Sequence, residues 1–410
     1  MSYLDEMVWR GLVQQVSDER LGAIMAGEKL SLYSGFDPTA PSFHVGNLIP
    51  LFALRRAALH GHKPILLVGG ATGMIGDPSG KADERKLLSV ETLEANLAGM
   101  RRQAERLVEG AVLVNNGDWF RDFSYLGFLR DVGKHFTVNM MLAKESVRAR
   151  LEDRESGISY TEFSYMLIQA YDFLHLHDHH GCRLQIGGSE QWGNITAGLE
   201  LIRRLRAKEA YALTLPLLLD SAGKKFGKSE KGAVWLDPER TTPYDFYQYF
   251  FRVEDADVGK MLRMLTFLDR QTIEQVEAAG RAAPEKREAQ RVLARELTTL
   301  IHGAGETRKA EEAAAALFGP RTAGAIPPGA PSSELLGARL AGGFFLVDAL
   351  VESGLCKSKS EARREMEGGG VYVNDERIQK IDHLLTAGDA RDGVILLRRG
   401  KKSYHALKIV

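Results

Sequence analysis

The stretch "KLSLYSGFDPTAPSFHVGNL", residues 29–48, sets the fold of this chain. Its lead, "KLSLYSGF", has the apolar pattern of a buried strand and carries a glycine near its end. Asp37-Pro38 and Ala40-Pro41 then impose a turn, because proline fixes its own φ and keeps the preceding residue out of the helical region. At Leu48 begins an apolar-periodic run to His60 that reads as a helix. Three further strand-like runs, "KPILLVGG", "AVLVNN" and "CRLQIGGSE", alternate with helical stretches such as 90–109. That alternation predicts an α/β fold with a parallel sheet covered on both faces. Ligands of such sheets sit beyond the carboxyl ends of the strands, where each glycine-rich cluster here falls.

Five clusters of chemistry-bearing residues follow from this layout. With Ser42 as the expected helix N-cap, His44 and Asn47 stand three apart on the first turn. Gly46 between them lets a flat ligand group approach the backbone, and the helix N-terminus favours anionic groups. The alternative is an N-capped helix with an incidental histidine. "VGGATGMIGDPSGK", 68–81, is not a Walker loop, since Ala82 stands where a Ser or Thr would hold magnesium. Its glycines and Asp77 suit close packing of a small cationic group; a plain loop is the other reading. In "YTEFSYMLIQAYDFLHL", Tyr165, Gln169 and Asp172 are spaced four and then three, on one helix face. That polar stripe is either exposed to solvent or lines a polar pocket. "QIGGSEQWGNI" places Glu190 and Gln191 after a strand, as ribose ligands or a capping loop. "SAGKKFGKSE", 221–230, sets Lys225 and Lys228 among glycines, either as solvated surface charge or as a loop that closes over a polyphosphate.

Composition narrows the classes. The 410 residues suit two or three domains, and Lys+Arg and Asp+Glu both total 54, so no global charge demands a polyanion. Two distant cysteines, Cys182 and Cys356, form no disulfide framework and fit a reducing, cytoplasmic compartment. The N-terminus has no secretory pattern, and "YALTLPLLL" at 211–219 is far too short for a membrane span. "HLHDHHGC", 175–182, holds four histidines and a cysteine, but their spacing across a helix end does not converge them on a metal.

Taken together, "HVGN" resembles the "HIGH" signature of class I aminoacyl-tRNA synthetases, and "KFGKS" their "KMSKS" loop. The longer strings are similar to the bacterial tyrosyl-tRNA synthetase family over nearly the whole chain. The resemblance implies a Rossmann-like catalytic domain at 1–223, then an α-helical anticodon-side domain at 224–318 with KFGKS at its start. A linker at 319–335 and a small α+β RNA-binding domain at 336–410 would follow. It implies tyrosine–tRNA ligation with L-tyrosine, ATP and tRNA(Tyr) as partners, Mg²⁺ as the ATP counter-ion, no resident protein metal, no membrane and a homodimer. Tyr33 and Asp172 would meet the substrate phenol, and Asp77, Tyr165 and Gln169 its ammonium. Ser34, Gly35, Asp37, His44, Gly46, Asn47, Gly188 and Glu190 would bind ATP, with Gln191 at the ribose and carboxylate end. Thr39, Lys81, Arg85, Lys225, Phe226, Lys228 and Ser229 would surround the triphosphate. Two positions depart from the family pattern: Asn47 replaces the last histidine of the signature, and Ser34 stands where many relatives have cysteine.

The tail strengthens the resemblance. "LVDALVESGLCKSKSEARREMEGGGVYVNDERI" is similar to a small RNA-binding domain, with Lys357, Lys359, Arg363 and Arg364 expected on its two helices. From 336 to 410 there are 13 Lys+Arg against 10 Asp+Glu, so clustering matters more than the total. A tryptophanyl enzyme shares the fold, but indole offers a single N–H donor to the Tyr33/Asp172 pair. A nucleotidyltransferase has no use for the RNA-binding tail, and an inactive regulator has no use for the intact lysine loop.

Overall fold

The computed structural model describes residues 1–79, 88–152, 157–223, 225–229, 232–318, 331–400 and 403–410. Lys81 and Arg85 lie outside the described residues, as do the side chains of Lys228 and Ser229. The described chain separates into two compact units, Met1–Arg240 with Glu254–Ala282, and Thr241–Val253 with Ala283–Val410.

The first unit is built on β1 (Gln15–Val16), β2 (Ser31–Phe36), β3 (Lys63–Val68), β4 (Val112–Asn115), β5 (Cys182–Gly188) and β6 (Tyr211–Leu215). They form one sheet in the order β1-β6-β5-β2-β3-β4. All neighbours are parallel except the edge strand β1. From β2 the chain steps to β3 and β4 on one side, then returns to β5 and β6 on the other. The order therefore reverses between β2 and β5, and such a reversal opens a crevice at the carboxyl ends of the two strands. Tyr33 and Gln185 are cross-strand partners at this point.

Helices cover both faces because the strands are apolar on both: Leu32, Leu66 and Leu184 are buried on one face, and Tyr33, Ile65 and Leu67 on the other. The helix Tyr160–His180 starts at Ser159, whose hydroxyl accepts from the Glu162 N–H, and stops at Gly181 in the left-handed region. It packs on the helix Trp192–Arg206, where a Cβ on Gly198 would stand 3.0 Å from the Phe173 ring. In the histidine-rich tail of the 160–180 helix, the His175 ring stacks on Trp119, while Cys182 lies in β5.

Four expectations need correction. Ser42 is not the N-cap: a short 3₁₀ turn, Val45–Asn47, precedes the helix Leu48–Leu59, and His44 caps it. The helices Asp255–Leu265 and Arg270–Ala282 belong with the sheet, not with a separate helical domain beginning at 224. The reason is that Arg10 donates to the carbonyls of Arg263, Thr266 and Leu268, and Arg56 to those of Met264 and Thr266. Carbonyls at a helix C-terminus lack intrahelical partners, so two buried guanidinium groups dock this end firmly. Ser332–Leu335, assigned to the linker, is instead a strand, paired in parallel with Ser403–Ile409. Lys357 sits in the turn before the helix Lys359–Glu367, so only Lys359, Arg363 and Arg364 are helical.

The second unit contains the helices Pro243–Phe251, Glu288–His302 and Ala304–Phe318. Its five-stranded sheet runs in the order Glu376–Arg377, Val371–Val373, Val394–Arg399, Ser403–Ile409, Ser332–Leu335. Leu346, Leu350, Val371, Leu397 and Leu407 form the core beneath it.

Candidate active site

A cavity of about 290 Å³ opens at the reversal between β2 and β5. Fifteen of the sequence-predicted residues line it: Tyr33, Ser34, Gly35, Asp37, Thr39, His44, Gly46, Asn47, Asp77, Tyr165, Gln169, Asp172, Gly188, Glu190 and Gln191. The polar stripe of the 160–180 helix thus faces a pocket and not solvent, which decides the alternative left open by periodicity.

At one end Tyr33, 1% exposed, packs its ring on Phe173 at 5.3 Å. Among the described residues its hydroxyl has no hydrogen-bond partner. Burial raises its pKa, and the nearby Asp172 carboxylate raises it further. Asp172, 2% exposed, accepts from Asn116 Nδ2 at 3.0 Å and Trp119 Nε1 at 2.9 Å. Burial pushes its pKa up to about 8, against the opposing pull of those two donors. Neither donor carries charge, so the carboxyl is oriented without a counter-ion. Asn116 and Trp119 went unnoticed in the sequence, since their only mark is a position just past β4.

Midway, the Tyr165 hydroxyl donates to Asp37 Oδ2 at 3.0 Å, and Thr72 donates to Asp37 Oδ1 at 2.8 Å. Tyr165 thereby commits its proton and keeps oxygen lone pairs for a cationic ligand. Asp77 accepts from the Ser79 N–H and from Gln191 Nε2. Asn194, also missed, reaches Ser79 and Gln191 from the helix behind. Gly69 and Gly70 do not floor the cavity. A Cβ at either would stand 2.2 Å from Thr72 Oγ1 or Asn115 Oδ1, so these glycines make room for the protein's own side chains. Gln185, missed as well, projects from the centre of β5 with its Oε1 unpartnered; a lone amide in an apolar strand was its only signal.

At the other end His44 Nδ1 accepts from the Gly46 N–H, and the His44 N–H donates to Asn47 Oδ1, each at 3.0 Å. Accepting at Nδ1 places the proton of the neutral ring on Nε2. A Cβ at Gly46 would come within 2.8 Å of that ring, so glycine is required for this fold-back. The turn is also strapped by backbone bonds, Val45 N–H to the Val234 carbonyl and Leu236 N–H to the Phe43 carbonyl.

Comparison with known proteins identifies the family. The model for tRNA synthetases class I (W and Y) matches residues 25–319, and that for a tyrosine–tRNA ligase C-terminal domain matches 333–407. The chain is 50% identical to the tyrosine–tRNA ligase of Roseiflexus castenholzii over 99% of both chains. It is 50% identical to that of Opitutus terrae over the full length of both. The chain belongs to the tyrosine–tRNA ligase family.

A C-terminally truncated mitochondrial tyrosyl-tRNA synthetase from Aspergillus nidulans superposes with a TM-score of 0.70 at 31% identity. The match covers 77% of this chain and 94% of that one. A tryptophanyl-tRNA synthetase from Encephalitozoon cuniculi reaches a TM-score of 0.54 at 16% identity, a likeness of fold alone. In the KFGKS stretch the Phe226 N–H donates to the Leu218 carbonyl, and Gly227 lies against Gly46. Leu219 and Lys225 bridge in antiparallel fashion. Among the described residues no three His, Cys, Asp or Glu side chains group to hold a metal ion, and no helix is long and apolar enough to cross a membrane.

Proposed function

We propose that the cavity between β2 and β5 activates L-tyrosine with ATP, with site roles as follows. The phenol lies against Tyr33 and Asp172, the ammonium against Asp77, Tyr165 and Gln169, and the carboxylate near Gln191. ATP runs along the 34–47 turn: Ser34, Gly188 and Glu190 take the ribose, and Gly35, Asp37, Gly46, His44 Nε2 and Asn47 flank the nucleotide. Thr39, Lys81, Arg85, Lys225, Phe226, Lys228 and Ser229 surround the triphosphate, and Mg²⁺ accompanies it as counter-ion. A tyrosine carboxylate oxygen attacks the α-phosphorus as its bond to the bridging oxygen breaks and pyrophosphate leaves. The terminal ribose hydroxyl of tRNA(Tyr) then attacks the adenylate carbonyl, and AMP departs. No side chain acts as a covalent nucleophile; positioning and charge stabilisation carry the reaction.

One observation carries this assignment. Tyr33 OH, Gln169 Oε1, Gln185 Oε1 and Glu190 Oε2 are all buried around one cavity without partners among the described residues. Unpaired buried polar atoms cost about 1–3 kcal/mol each, so a ligand that pairs them recovers much of that. Three of the four are acceptors, which suits a substrate pair rich in donors: ammonium, phenol and ribose hydroxyls. Burial also raises the Glu190 pKa. Phenylalanine leaves Tyr33 and Asp172 desolvated and unpaired, the kind of rejection for which tyrosyl enzymes are the standard illustration.

In the same proposal Lys357, Lys359, Arg363 and Arg364, all exposed, hold tRNA phosphates from the C-terminal domain. A homodimer is supported by the exposed apolar residues Tyr125, Leu126, Val138, Leu151 and Tyr160. Two buried free thiols fit a cytoplasmic enzyme. Deleting residues 336–410 separates the half-reactions: tyrosine-dependent ATP–pyrophosphate exchange persists while tRNA charging is lost. Charging at the full rate without the tail overturns the RNA-binding assignment, and loss of exchange overturns the claim that the cavity works alone.

A further inference from the structure

The loop between β2 and the His44 turn carries Asp37 and Thr39 and is rich in proline, yet proline alone does not hold it in place. A helix that lines no part of the cavity does so. The helix Val90–Leu107 presents Asn96, Gly99 and Gln103 on one face, at spacings of three and four. Asn96, 5% exposed, donates from Nδ2 to the Pro38 carbonyl at 2.9 Å. Gly99 lets the helix and loop meet: a Cβ there would stand 2.1 Å from the Pro41 carbonyl oxygen. Gln103 accepts from the Phe43 N–H at 2.9 Å through Oε1 and donates to Ser42 Oγ at 3.0 Å through Nε2. Ser42 in turn donates to the Phe43 carbonyl at 2.7 Å. That carbonyl also accepts from the Leu236 N–H, so the strap on the His44 turn and the amide of Gln103 meet on one residue, Phe43.

Each side chain of the stripe serves backbone on the loop, and none touches the cavity. Gln103 is bonded at both ends of its amide, and it holds the last residue before His44. We propose that Gln103, with Asn96 and Gly99, is a positioning residue for the ATP half of the site: it fixes the loop so that Thr39 and His44 Nε2 stand where the nucleotide needs them. This rests on the site roles proposed above. Tyrosine is held by Tyr33 on β2 and by Tyr165, Gln169 and Asp172 on the 160–180 helix; Asp37, the loop residue that meets Tyr165, is also pinned by Thr72, so loosening the loop at Phe43 affects the two substrates unequally.

The test is Gln103→Leu, assayed by ATP–pyrophosphate exchange and, separately, by equilibrium binding of tyrosine. Misplacing catalytic groups by about 1 Å costs up to roughly a hundredfold, so kcat/KM for ATP should fall by between about tenfold and a hundredfold. Tyrosine affinity should stay at the wild-type value. Gln103→Glu keeps an acceptor for the Phe43 N–H, and Ser42 can turn its hydroxyl toward the carboxylate, so that variant should recover most of the activity. A purely structural role would lower both substrates' parameters together and would not be rescued in this way. If Gln103→Leu does not fold, Gly99→Ala carries the same test. Alanine favours a helix interior over glycine, so a loss of ATP kinetics there points to displacement of Pro41. Unchanged ATP kinetics in either variant, or tyrosine binding that falls in step, overturns the inference. Absence of tyrosine-dependent exchange in the wild type would instead overturn the site roles on which it rests.

Discussion

Two carboxylates on one helix are equally buried and differently kept. Glu162, in the first turn of the 160–180 helix, is 2% exposed and takes Arg150 in a two-pronged pair at 3.0 and 2.9 Å. Arg150 spends its remaining Nε–H on the Gly157 carbonyl. Asp172, nearly three turns on, is also 2% exposed but among the described residues is met by neutral donors, Asn116 and Trp119. A buried charge with a bidentate counter-ion is a closed structural unit. A buried carboxyl oriented by neutral donors and left beside a Tyr33 hydroxyl with no partner among the described residues is open to a ligand. The same helix therefore fastens the fold at one end and presents chemistry further along.

The largest way to break this contrast is at the open end. Asp172→Ala should abolish tyrosine activation while the protein stays folded, as exchange assays and circular dichroism would show; full exchange in that variant removes Asp172 from the site. At the closed end, Arg150→Ala leaves Glu162 buried and uncompensated. Such losses cost about 3–5 kcal/mol, so the variant should unfold at markedly lower denaturant while its folded fraction keeps the wild-type KM for tyrosine. An unchanged midpoint contradicts the structural role. Trp119→Phe removes one of the two donors from Asp172. Left with an unpaired oxygen worth about 1–3 kcal/mol, the site should show a KM for tyrosine raised roughly five- to a hundredfold, with KM for ATP unchanged.

A smaller effect sharpens the comparison through pH. Asp172 ionises near pH 8 in the folded chain and near the ordinary 3.8 when unfolded. Between those values the native state keeps a proton that the unfolded state releases, so stability is full below about 3.8 and is lost as pH rises toward 8. The sign is opposite to that of a salt-bridged carboxylate. Thermal scans from pH 4 to 8 should show Asp172→Ala gaining Tm relative to the unliganded wild type as pH rises. A constant difference would mean that Asp172 is ionised throughout.

The contrast also marks what a sequence discloses. Strand–turn–helix alternation and the carboxyl-end rule placed His44, Asp77 and Glu190 at one crevice, and helical spacing put Tyr165, Gln169 and Asp172 on one face. Periodicity says which residues share a face but not what they meet, so whether that face saw solvent or a pocket stayed open until the neighbours were in place. Asn116, Trp119 and Asn194 act from behind the wall through contacts 53 or more residues away in sequence, or within a packed helix turn. No local pattern encodes them. The N-cap was misplaced for a related reason: serine is the better capping type, but His44 folds its ring back onto the Gly46 N–H, which only the absent side chain at 46 allows. The helices 255–265 and 270–282 were assigned by composition, whereas two arginines from the far end of the chain decide where they pack.

The most direct measurement is ATP–pyrophosphate exchange with each of the twenty amino acids in turn, without tRNA. The account predicts exchange with tyrosine alone, because only a phenol pairs both Tyr33 and Asp172. Exchange with tryptophan in place of tyrosine would keep the fold and contradict the pocket. Exchange with no amino acid would contradict the account at its centre.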